Sequence, residues 1–407
     1  MTKTLISVEQ ARDAIIERIH PLGPERVLLT DALGRTLAAP IFAPYDAPRF
    51  DNSARDGFAV RFADVASPPA TLRVTETIHA GEHPRGSVGA GEAARIMTGA
   101  VVPDGADTII MSEHCTHDGD TVTVRELGGT KEGDWVRKRA SFMAAGDAVL
   151  RRAATLHAGD IVALAGYNQA AVRVTAKPVV AILSTGDELV ELGQQPGPSQ
   201  ILNSNAYMLE ALVRAHGATP LVLPIARDDR EQIFGAYSQA LQRADLIVSS
   251  GGVSVGAKDF VHDVLEELVG SMDFYKIRMR PGKPLAFGVA ERGSRLTPLL
   301  GLPGNPASGF VCFHQFVRPA LDVLSGGGAS SLERVRATMS AAVPSTPKRR
   351  HYVTGRVRTT QAGLAFDPIP NQDSGNVLIL CGVRAFAIIE EGVGAARSGD
   401  EVIVELI

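Results

Sequence analysis

The sequence predicts a multidomain α/β plus β protein, organised around a central, doubly wound and mostly parallel α/β domain. Three observations support this. Between residues 177 and 326, short apolar strands alternate with helical segments of about 11–15 residues, which is typical of parallel βαβ units. From Pro48 to Arg139, short β-rich pieces are broken by glycine and proline, which predicts a β-rich insertion. Residues 327–407 contain only strand-like segments and predict a small C-terminal β-barrel.

Composition and charge argue against several functional classes. A chain of 407 residues with a hydrophobic share of 45% is expected to bury the cores of roughly two to four domains. The net charge of −4 provides no global basic field for nucleic acid. No apolar run reaches the roughly 18 residues of a membrane span, and the N-terminus lacks the apolar core of a signal peptide. The three widely spaced cysteines predict reduced thiols, so we expect a cytoplasmic protein.

Ser7 and Gln10 have the spacing of a capping box and predict an amphipathic helix from Ser7 to His20. After the β-rich insertion the pattern returns to mixed helix and strand. The sequence therefore predicts four domains: residues 1–46 with 141–176, residues 47–140, residues 177–326, and residues 327–407.

The elements of the α/β domain follow from apolar runs and capping residues. Asn203 is the predicted N-cap of a helix that ends near Gly217, and Asp228 or Asp229 begins a helix to Arg243. Asn305 caps a further helix with Pro306 in its first turn. The predicted strands are VVAILS (179–184), TPLVLPI (219–225), DLIVS (245–249), MDFYKIRM (272–279), PLAFGVA (284–290) and TPLLGLP (297–303), and one more helix is predicted over 259–269.

Loops rich in glycine and acids follow these strands, at the sheet edge where α/β proteins bind ligands. The strand over 245–249 leads into a loop with three residues predicted to bind substrate, Gly251, Gly252 and Ser254. Backbone N–H groups in such a loop and at a helix N-terminus attract phosphate groups. The remaining loops carry Ser184–Glu188, Asp228–Asp229, the basic stretch 276–283 and Gly301–Pro306.

Cations and carboxylates complete the predicted site. Lys276, Arg280 and Lys283 are suited to holding anions. Carboxylate oxygens such as those of Glu188, Asp228 and Asp259 are the ligands that Mg²⁺ prefers. Together these groups predict the cleavage or transfer of a phosphoanhydride-linked group. Neither a Walker GxxxxGK[ST] sequence nor a dinucleotide GxGxxG sequence is present.

Each of these pieces also has a structural explanation. Asp187 and Glu188 suit the start of a helix, and Asp259 suits an N-cap. Lys276 and Arg278 alternate along a strand, so one of them is equally well placed to face solvent. The histidines show no metal-binding spacing, so core or surface roles are favoured over a metal site.

Six sequence strings occur in order along the chain: FDNSARDGFA (50–59), RIMTGAVVPDGAD (95–107), STGDEL (184–189), SGGVSVGAKD (250–259), RPGKPLAFG (280–288) and GLPGNPAS (301–308). In this order and spacing they make the chain resemble the molybdopterin molybdenumtransferase family, also called the MoeA family, which includes the gephyrin E domain. The resemblance extends from Ser7 to the C-terminus.

This resemblance implies an elongated homodimer and a reaction in the biosynthesis of the molybdenum cofactor. Adenylylated molybdopterin and molybdate bind, the phosphoanhydride is cleaved with Mg²⁺, AMP leaves, and molybdenum is placed on the dithiolene. The site would lie between the α/β domain of one subunit and the insertion of the other. Contact with the molybdopterin adenylyltransferase is a further expectation. The residues implied are Asp56 and Thr98 in the insertion, Glu188, Asp228, Asp259, Lys276, Arg280, Pro303 and Pro306 in the α/β domain, and Ser374 in the barrel.

The chain departs from the family pattern at three places. Arg55 and Phe58 flank Asp56-Gly57 where the family usually has methionine and tyrosine, and Arg280 stands where lysine is common. The family also commonly carries an acid after its basic run, whereas this chain has Phe142 near that place. The last departure supports an alternative hypothesis, a non-catalytic molybdopterin-binding or scaffold paralogue. A third hypothesis, adenylyl transfer on the same α/β fold, would leave the insertion without a role.

Overall fold

A computed structural model describes residues 2–251, 260–269, 272–293 and 295–407. The chain folds into two compact units. The first contains Met1–Ala39, Arg152–Ile161 and Ala171–Ile407, and the second contains Pro40–Arg151 and Val162–Ala170. The division into four domains stays a prediction.

The first unit is built on a seven-stranded sheet. Its strands are parallel except for Pro284–Arg292, which runs antiparallel to both of its neighbours. The N-terminal strand was not predicted from the sequence. In spatial order the strands are Thr2–Ile6, Met272–Ile277, Pro284–Arg292, Arg295–Leu302, Leu246–Ser250, Val179–Ser184 and Thr219–Val222.

Helices cover both faces of this sheet, as the doubly wound prediction requires. Along the strand Val179–Ser184, Val180 and Ile182 pack in the same core as Leu209 of the helix Ser204–Ala215. The alternate residues Ala181 and Leu183 pack in a second core against the helices Arg230–Arg243 and Phe260–Val269. Successive side chains of a strand point to opposite faces, so one apolar strand supplies both cores.

Most predicted caps are present. Asn203 accepts a hydrogen bond from the Ala206 amide, and Asp229 accepts one from the Gln232 amide. Ser7 and Gln10 form the predicted capping box. That first helix covers only Val8–Ile16, so the predicted end at His20 was wrong.

The last helix of the α/β region is continuous from Pro306 to Leu324. It runs through Pro306–Cys312, a π-helical turn Phe313–Val317 and Arg318–Leu324. Asn305 occupies the N-cap position but makes no side-chain capping bond. The predicted position of Asn305 is therefore right, but the predicted side-chain cap is wrong.

The C-terminal strands close into a five-stranded barrel, as predicted. Closure comes from pairing of Arg350–Thr360 with Ala385–Ile389. The interior contains Val353, Phe366 and Val404. The barrel strands are Arg334–Met339, Arg350–Thr360, Gly363–Pro368, Ala385–Ile389 and Glu401–Leu406.

The second unit contains the predicted β-rich insertion as a six-stranded sheet. One face packs around Phe58 and Val60, and the other around Ala59 and Ile96. In spatial order the strands are Thr108–Met111, Gly57–Val60, Glu92–Ile96, Ala70–Ile78, Thr121–Val124 and Cys115–Asp118.

The remaining elements are short. The helix Ala158–Gly166 contributes residues to both units. Met279–Arg280 pairs with the start of the barrel strand Arg350–Thr360. Five further strand pairs are two-stranded: Pro24–Leu28 with Ala171–Thr175, Ile41–Phe42 with Ala148–Leu150, Asn52–Ser53 with Val136–Arg137, Leu189–Val190 with Ile201–Leu202, and Val343–Pro344 with Ala395–Ala396. The three cysteines are free. Within the described residues, no helix has the length and apolar character needed to cross a membrane.

Candidate functional site

The strand register brings several of the predicted loops to one edge of the seven-stranded sheet. Ser184 pairs with Ser250, and Ser250 pairs with Leu302. Thr185, Gly251 and Pro303 therefore leave neighbouring parallel strands side by side. The antiparallel strand Pro284–Arg292 begins at this same edge, because Ala286 pairs with Gly301. The basic loop that precedes it is thereby delivered to the strand ends.

Two adjoining cavities open along this edge. One has a volume of about 1200 Å³ and the other about 630 Å³, and both are lined by Gly251, Gly304 and Asn305. We call them together the strand-end groove. Among the predicted site residues, the larger cavity is lined by Gly251, Arg280, Lys283, Pro303 and Ser374, and the smaller by Glu188, Gly251 and Pro306.

The larger cavity is rich in positive charge. Arg280 and Lys283 line it together with Arg349, which comes from the turn before a barrel strand. None of the three has an ion-pair partner among the described residues. Among the described residues of the lining, Asp373 is the only carboxylate, and it accepts a hydrogen bond from the Gly375 amide at 3.0 Å. The cavity is therefore suited to an anion of more than one charge.

The buried His351 lies close to two of these cations, and its pKa is lowered. His351 pairs in register with Arg280, and only 1% of it is exposed. Burial, together with the nearby charges of Arg280 and Arg349, lowers the pKa of His351 to about 4. At neutral pH His351 is therefore uncharged and does not add a third positive charge beside the two arginines.

Glycine fixes the basic loop against the last helix. Gly282 has a φ of +99°, and a Cβ there would lie 2.7 Å from the Cys312 Sγ. Both facts favour glycine, since a side chain would be strained and would also clash. Not every predicted cation is in the groove: exposed Lys276 lines neither cavity. Arg278 is used elsewhere, donating to the Leu5 carbonyl at 2.8 Å and to Glu391 at 3.0 Å.

The acidic end of the groove is formed by the loop after the strand Val179–Ser184. Gly186 has a φ of +143°, and a Cβ there would lie 2.4 Å from an oxygen of Glu188. The Glu188 carboxylate is thus folded over its own loop, and it has no hydrogen bond with a described residue. The Asp187 carboxylate accepts a bond from the Asp228 amide at 3.3 Å. Arg227 holds the loop by donating to the carbonyls of Asp187 and Leu189.

These carboxylates match Mg²⁺ in donor type, since all are hard oxygen ligands. Glu188 and Asp228 are exposed, and the loop contact between Asp187 and Asp228 keeps their two segments together. Within the described ranges no cluster of three histidine, cysteine or acidic side chains is assembled. Asp259, the third predicted ligand, lies outside the described residues. So do Gly252 and Ser254, which were predicted to bind substrate.

One amide joins the two glycine loops. The Asn205 Nδ2 donates to the Ser250 Oγ at 2.8 Å and to the Gly304 carbonyl at 2.7 Å. Its Oδ1 is buried without a partner in the described residues. Asn205 was not predicted as a site residue. Its place two residues after the N-cap Asn203 puts it in the first turn of a helix that starts near the strand ends, and this position could have indicated it.

The barrel loop is tied to the groove by Ser374. The Asn305 Nδ2 donates to the Ser374 Oγ at 3.1 Å, and the Ala307 amide donates to the Ser374 carbonyl at 3.1 Å. Asn305 thus holds the barrel loop rather than capping its own helix. Arg349 was also missed, although the basic run Lys348–Arg350 was visible in the sequence.

In the second unit, Asp56 is held by a threonine. Its Oδ1 accepts from the Thr98 amide at 2.7 Å and from the Thr98 hydroxyl at 2.8 Å. These two bonds lower the pKa of Asp56 below its usual value. The following Gly57 lies against a neighbouring strand, where a Cβ would be 2.1 Å from the Ile110 carbonyl oxygen. Asp56 is therefore an exposed, ionised carboxylate in a fixed position.

The structure shows the surroundings of two residues that depart from the family pattern, Arg55 and Phe142, and of Arg139 at the end of the basic run. Arg55 stacks over the Trp135 ring, with the guanidinium carbon 4.7 Å from the ring centroid. The basic run ends at Arg139, which is ion-paired with Asp46. The Phe142 side chain is 69% exposed. Because Phe142 is solvent-exposed, core packing does not explain it.

Taken together, the groove has the features of an α/β enzyme site for a phosphate-bearing substrate, with cations at one end and a carboxylate at the other. Comparison with known proteins agrees with this class. Three family models match the chain: the MoeA N-terminal region (domain I and II) over residues 6–167, the "Probable molybdopterin binding domain" over 181–323, and the MoeA C-terminal region (domain IV) over 336–407.

Curated relatives match over most of the chain. A molybdopterin molybdenumtransferase from Nostoc sp. is 39% identical over 388 residues, covering 93% of this chain and 88% of the relative. One from Bacillus subtilis is 33% identical, covering 100% and 95%. A crystal structure of the molybdopterin biosynthesis MoeA protein from Pyrococcus horikoshii OT3 superposes with a TM-score of 0.83 at 27% identity, covering 99% and 100%. The chain belongs to the molybdopterin molybdenumtransferase family.

Proposed function

We propose that this protein inserts molybdenum from molybdate into adenylylated molybdopterin, cleaving the phosphoanhydride and releasing AMP. The observation that carries the proposal is the strand-end groove, which joins a cluster of unpaired cations to an unbonded carboxylate. A substrate with two phosphate groups and an oxyanion co-substrate needs both features. Family membership supports the same reaction.

Arg280, Lys283 and Arg349 hold the anionic groups in this proposal. Arginine guanidinium groups bind phosphate and molybdate oxygens in pairs, while lysine supplies a compact charge. Ser374 adds a hydroxyl at the same cavity, and its position is fixed by Asn305. Lys276 keeps its proposed role in substrate binding from the motif match alone.

Glu188 and Asp228 are the described residues that would hold Mg²⁺, with Asp259 as the third ligand. The metal would supply charge neutralisation on the phosphoanhydride. The carboxylate of Glu188 is suited to this because no hydrogen bond from a described residue competes for it. Pro303 and Pro306 fix the loop and the first helical turn on the opposite side.

Asp56 supplies the remaining carboxylate, and Thr98 holds it in position with two hydrogen bonds. We propose a homodimer in which the Asp56 loop of one subunit serves the strand-end groove of the other. A mixing experiment tests this arrangement. Asp56→Ala and Arg280→Ala proteins, each strongly impaired alone, should regain part of the activity after subunit exchange, because one site of each mixed dimer is intact. Failure to regain activity in dimers shown to have exchanged would contradict the shared site.

The reaction itself is tested with adenylylated molybdopterin, molybdate and Mg²⁺. We expect AMP release that depends on molybdate, with at least about a hundredfold loss in Arg280→Ala. Arg295→Ala is a suitable control, because Arg295 is bonded to Asp245 and to the Ala244 carbonyl and lines neither cavity. A folded protein that releases no AMP would contradict the proposal. In the cell, we propose, the substrate arrives by contact with the molybdopterin adenylyltransferase in the cytoplasm.

Phe142 supports one competing function, a non-catalytic molybdopterin-binding or scaffold paralogue. Its exposed aromatic ring lies near the place where the family commonly carries an acid. Phe142→Asp distinguishes the two functions. If the wild type binds the pterin without turnover and Phe142→Asp gains turnover, the scaffold function is supported. If the wild type turns over and the variant changes little, the transferase is supported.

A further inference from the structure

A third cavity lies in the first unit and shares no lining residue with the strand-end groove. Its volume is about 210 Å³. Apolar groups form most of its wall, and two guanidinium side chains, one hydroxyl and one glycine complete it. We call it the arginine cavity, and it is lined by Pro21, Leu22, Pro24, Leu37, Ala38, Ala39, Arg152, Arg173, Thr175 and Gly326.

The two arginines of this cavity lack counter-charges. Neither Arg152 nor Arg173 forms an ion pair or a side-chain hydrogen bond with a described residue, and no acidic residue lines the cavity. The nearby Glu25 does not serve them, because its carboxylate is paired with Arg35. Both side chains are exposed, and no described residue places a fixed counter-charge beside them.

A cross-strand neighbour adds a third positive charge. In the antiparallel pair of Pro24–Leu28 with Ala171–Thr175, Arg173 stands directly opposite Arg26. Like charges in this position repel and destabilise a sheet. Arg26 also has no ion-pair partner among the described residues. An anion bound beside Arg173 would relieve that repulsion.

A nearly buried hydroxyl points to the same kind of ligand. Thr175 is only 6% exposed, lines the cavity and makes no hydrogen bond through its hydroxyl with a described residue. Gly326 has a φ of +83°, and a Cβ there would lie 2.3 Å from the Thr175 Oγ1. Glycine at this position leaves the hydroxyl accessible. Buried hydroxyls normally have partners, so this donor is available to a ligand.

We propose that the arginine cavity binds the phosphate group of a small phosphate monoester, whose apolar part lies against the proline and leucine wall. A phosphate dianion can accept hydrogen bonds from both guanidinium groups and from the Thr175 hydroxyl. The volume is below the roughly 300–1,000 Å³ of sites for larger ligands, which limits the occupant to a small metabolite. The site is separate from the groove and does not depend on the proposed transferase activity.

Phenyl phosphate is a suitable probe, titrated by calorimetry at constant ionic strength. The full-length protein carries Arg280→Ala, Lys283→Ala and Arg349→Ala, so that the strand-end groove no longer competes for phosphate. We expect binding at one site and displacement by inorganic phosphate. Adding Arg152→Ala or Arg173→Ala should weaken binding at least about tenfold, since a hydrogen bond to a charged group contributes that much. Thr175→Val, which keeps the shape, should also weaken it.

Arg151→Ala is the matched control, because it removes the same charge from the adjacent residue, which does not line the cavity. Its affinity should equal that of the parent. Arg173→Ala should melt at or above the parent temperature without ligand, because repulsion with Arg26 is removed. No binding by the parent, unchanged binding after loss of Arg152 and Arg173, or an equal loss in Arg151→Ala would overturn the proposal.

Discussion

Asp56 and Glu188 are both exposed carboxylates close to a glycine, yet their hydrogen bonding differs. Asp56 accepts two hydrogen bonds from Thr98, which fix its position and keep it ionised. Glu188 is folded over Gly186 and has no hydrogen bond with a described residue. A fixed carboxylate suits a constant electrostatic or proton-accepting role, whereas an unbonded one suits an incoming metal ion or substrate.

The largest effect is expected at Asp56. Asp56→Ala should lower the rate of AMP release by about a thousandfold, because a fixed charge at the reacting groups is lost. The melting temperature should not change, since the side chain is exposed. The control is Asp120→Ala, an exposed turn residue of the same unit. An active Asp56→Ala protein would remove Asp56 from the site.

A different kind of loss is expected at Glu188. Glu188→Gln should raise the Mg²⁺ concentration needed for half-maximal activity about tenfold or more, because a ligand oxygen is replaced by an amide. Asp56→Ala should leave that concentration unchanged. Glu191→Gln, three residues further on, is the control. If the Mg²⁺ dependence of Glu188→Gln matches the wild type, the proposed division of roles is wrong.

Thr98→Val tests the fixed state of Asp56 directly. The variant loses the hydroxyl bond but keeps the amide bond, so the pKa of Asp56 should rise towards the ordinary value. A group with a lowered pKa loses its charge only at more acidic pH, so this variant should lose Asp56 charge, and activity, at a higher pH than the wild type. Titration followed by NMR measures the shift, and an unchanged pKa would show that the hydroxyl contributes little.

The smallest effect on activity, but a clear effect on folding, is expected from the buried histidines. Burial lowers the pKa of His314 to about 3, and both ring nitrogens lack partners in the described structure. Between about pH 6.5 and pH 3 the unfolded chain binds a proton that the native state does not, so stability falls as the pH falls. From pH 7 to 5 the loss should be about 2 kcal/mol for this residue.

Denaturant unfolding of His314→Leu at both pH values measures that loss. The variant should show a smaller decrease than the wild type, since its contribution to proton uptake on unfolding is removed. The exposed His83→Gln is the control. Equal pH dependence in wild type and His314→Leu would show that His314 does not remain neutral in the folded protein.

Local patterns predicted much of the α/β scaffold. Asn203 and Asp229 cap their helices as expected, because capping depends on neighbouring residues. The strand Thr2–Ile6 was missed because its partner, Met272–Ile277, is far away in sequence. Asn305 occupies the cap position, but tertiary contact with Ser374 uses its amide instead.

The groove was also predictable only in part, because some of its residues come from elements far apart in the sequence. Loops that follow parallel strands meet at one edge, so Thr185, Gly251 and Pro303 could be grouped from the strand order. Arg349 reaches the groove from the barrel, and no local pattern indicated that approach. Lys276 lies four residues before Arg280 and lines neither cavity, so its role in substrate binding stays a prediction.

The most direct test of the proposed function measures AMP and metal together in a single turnover. Adenylylated molybdopterin, molybdate and Mg²⁺ are mixed with excess wild-type protein, AMP is quantified, and X-ray absorption reports molybdenum–sulfur bonds. We expect one AMP for each molybdenum bound to the dithiolene, with both products lost in Asp56→Ala. AMP release without molybdenum–sulfur bonds, or neither product from folded dimer, would contradict it.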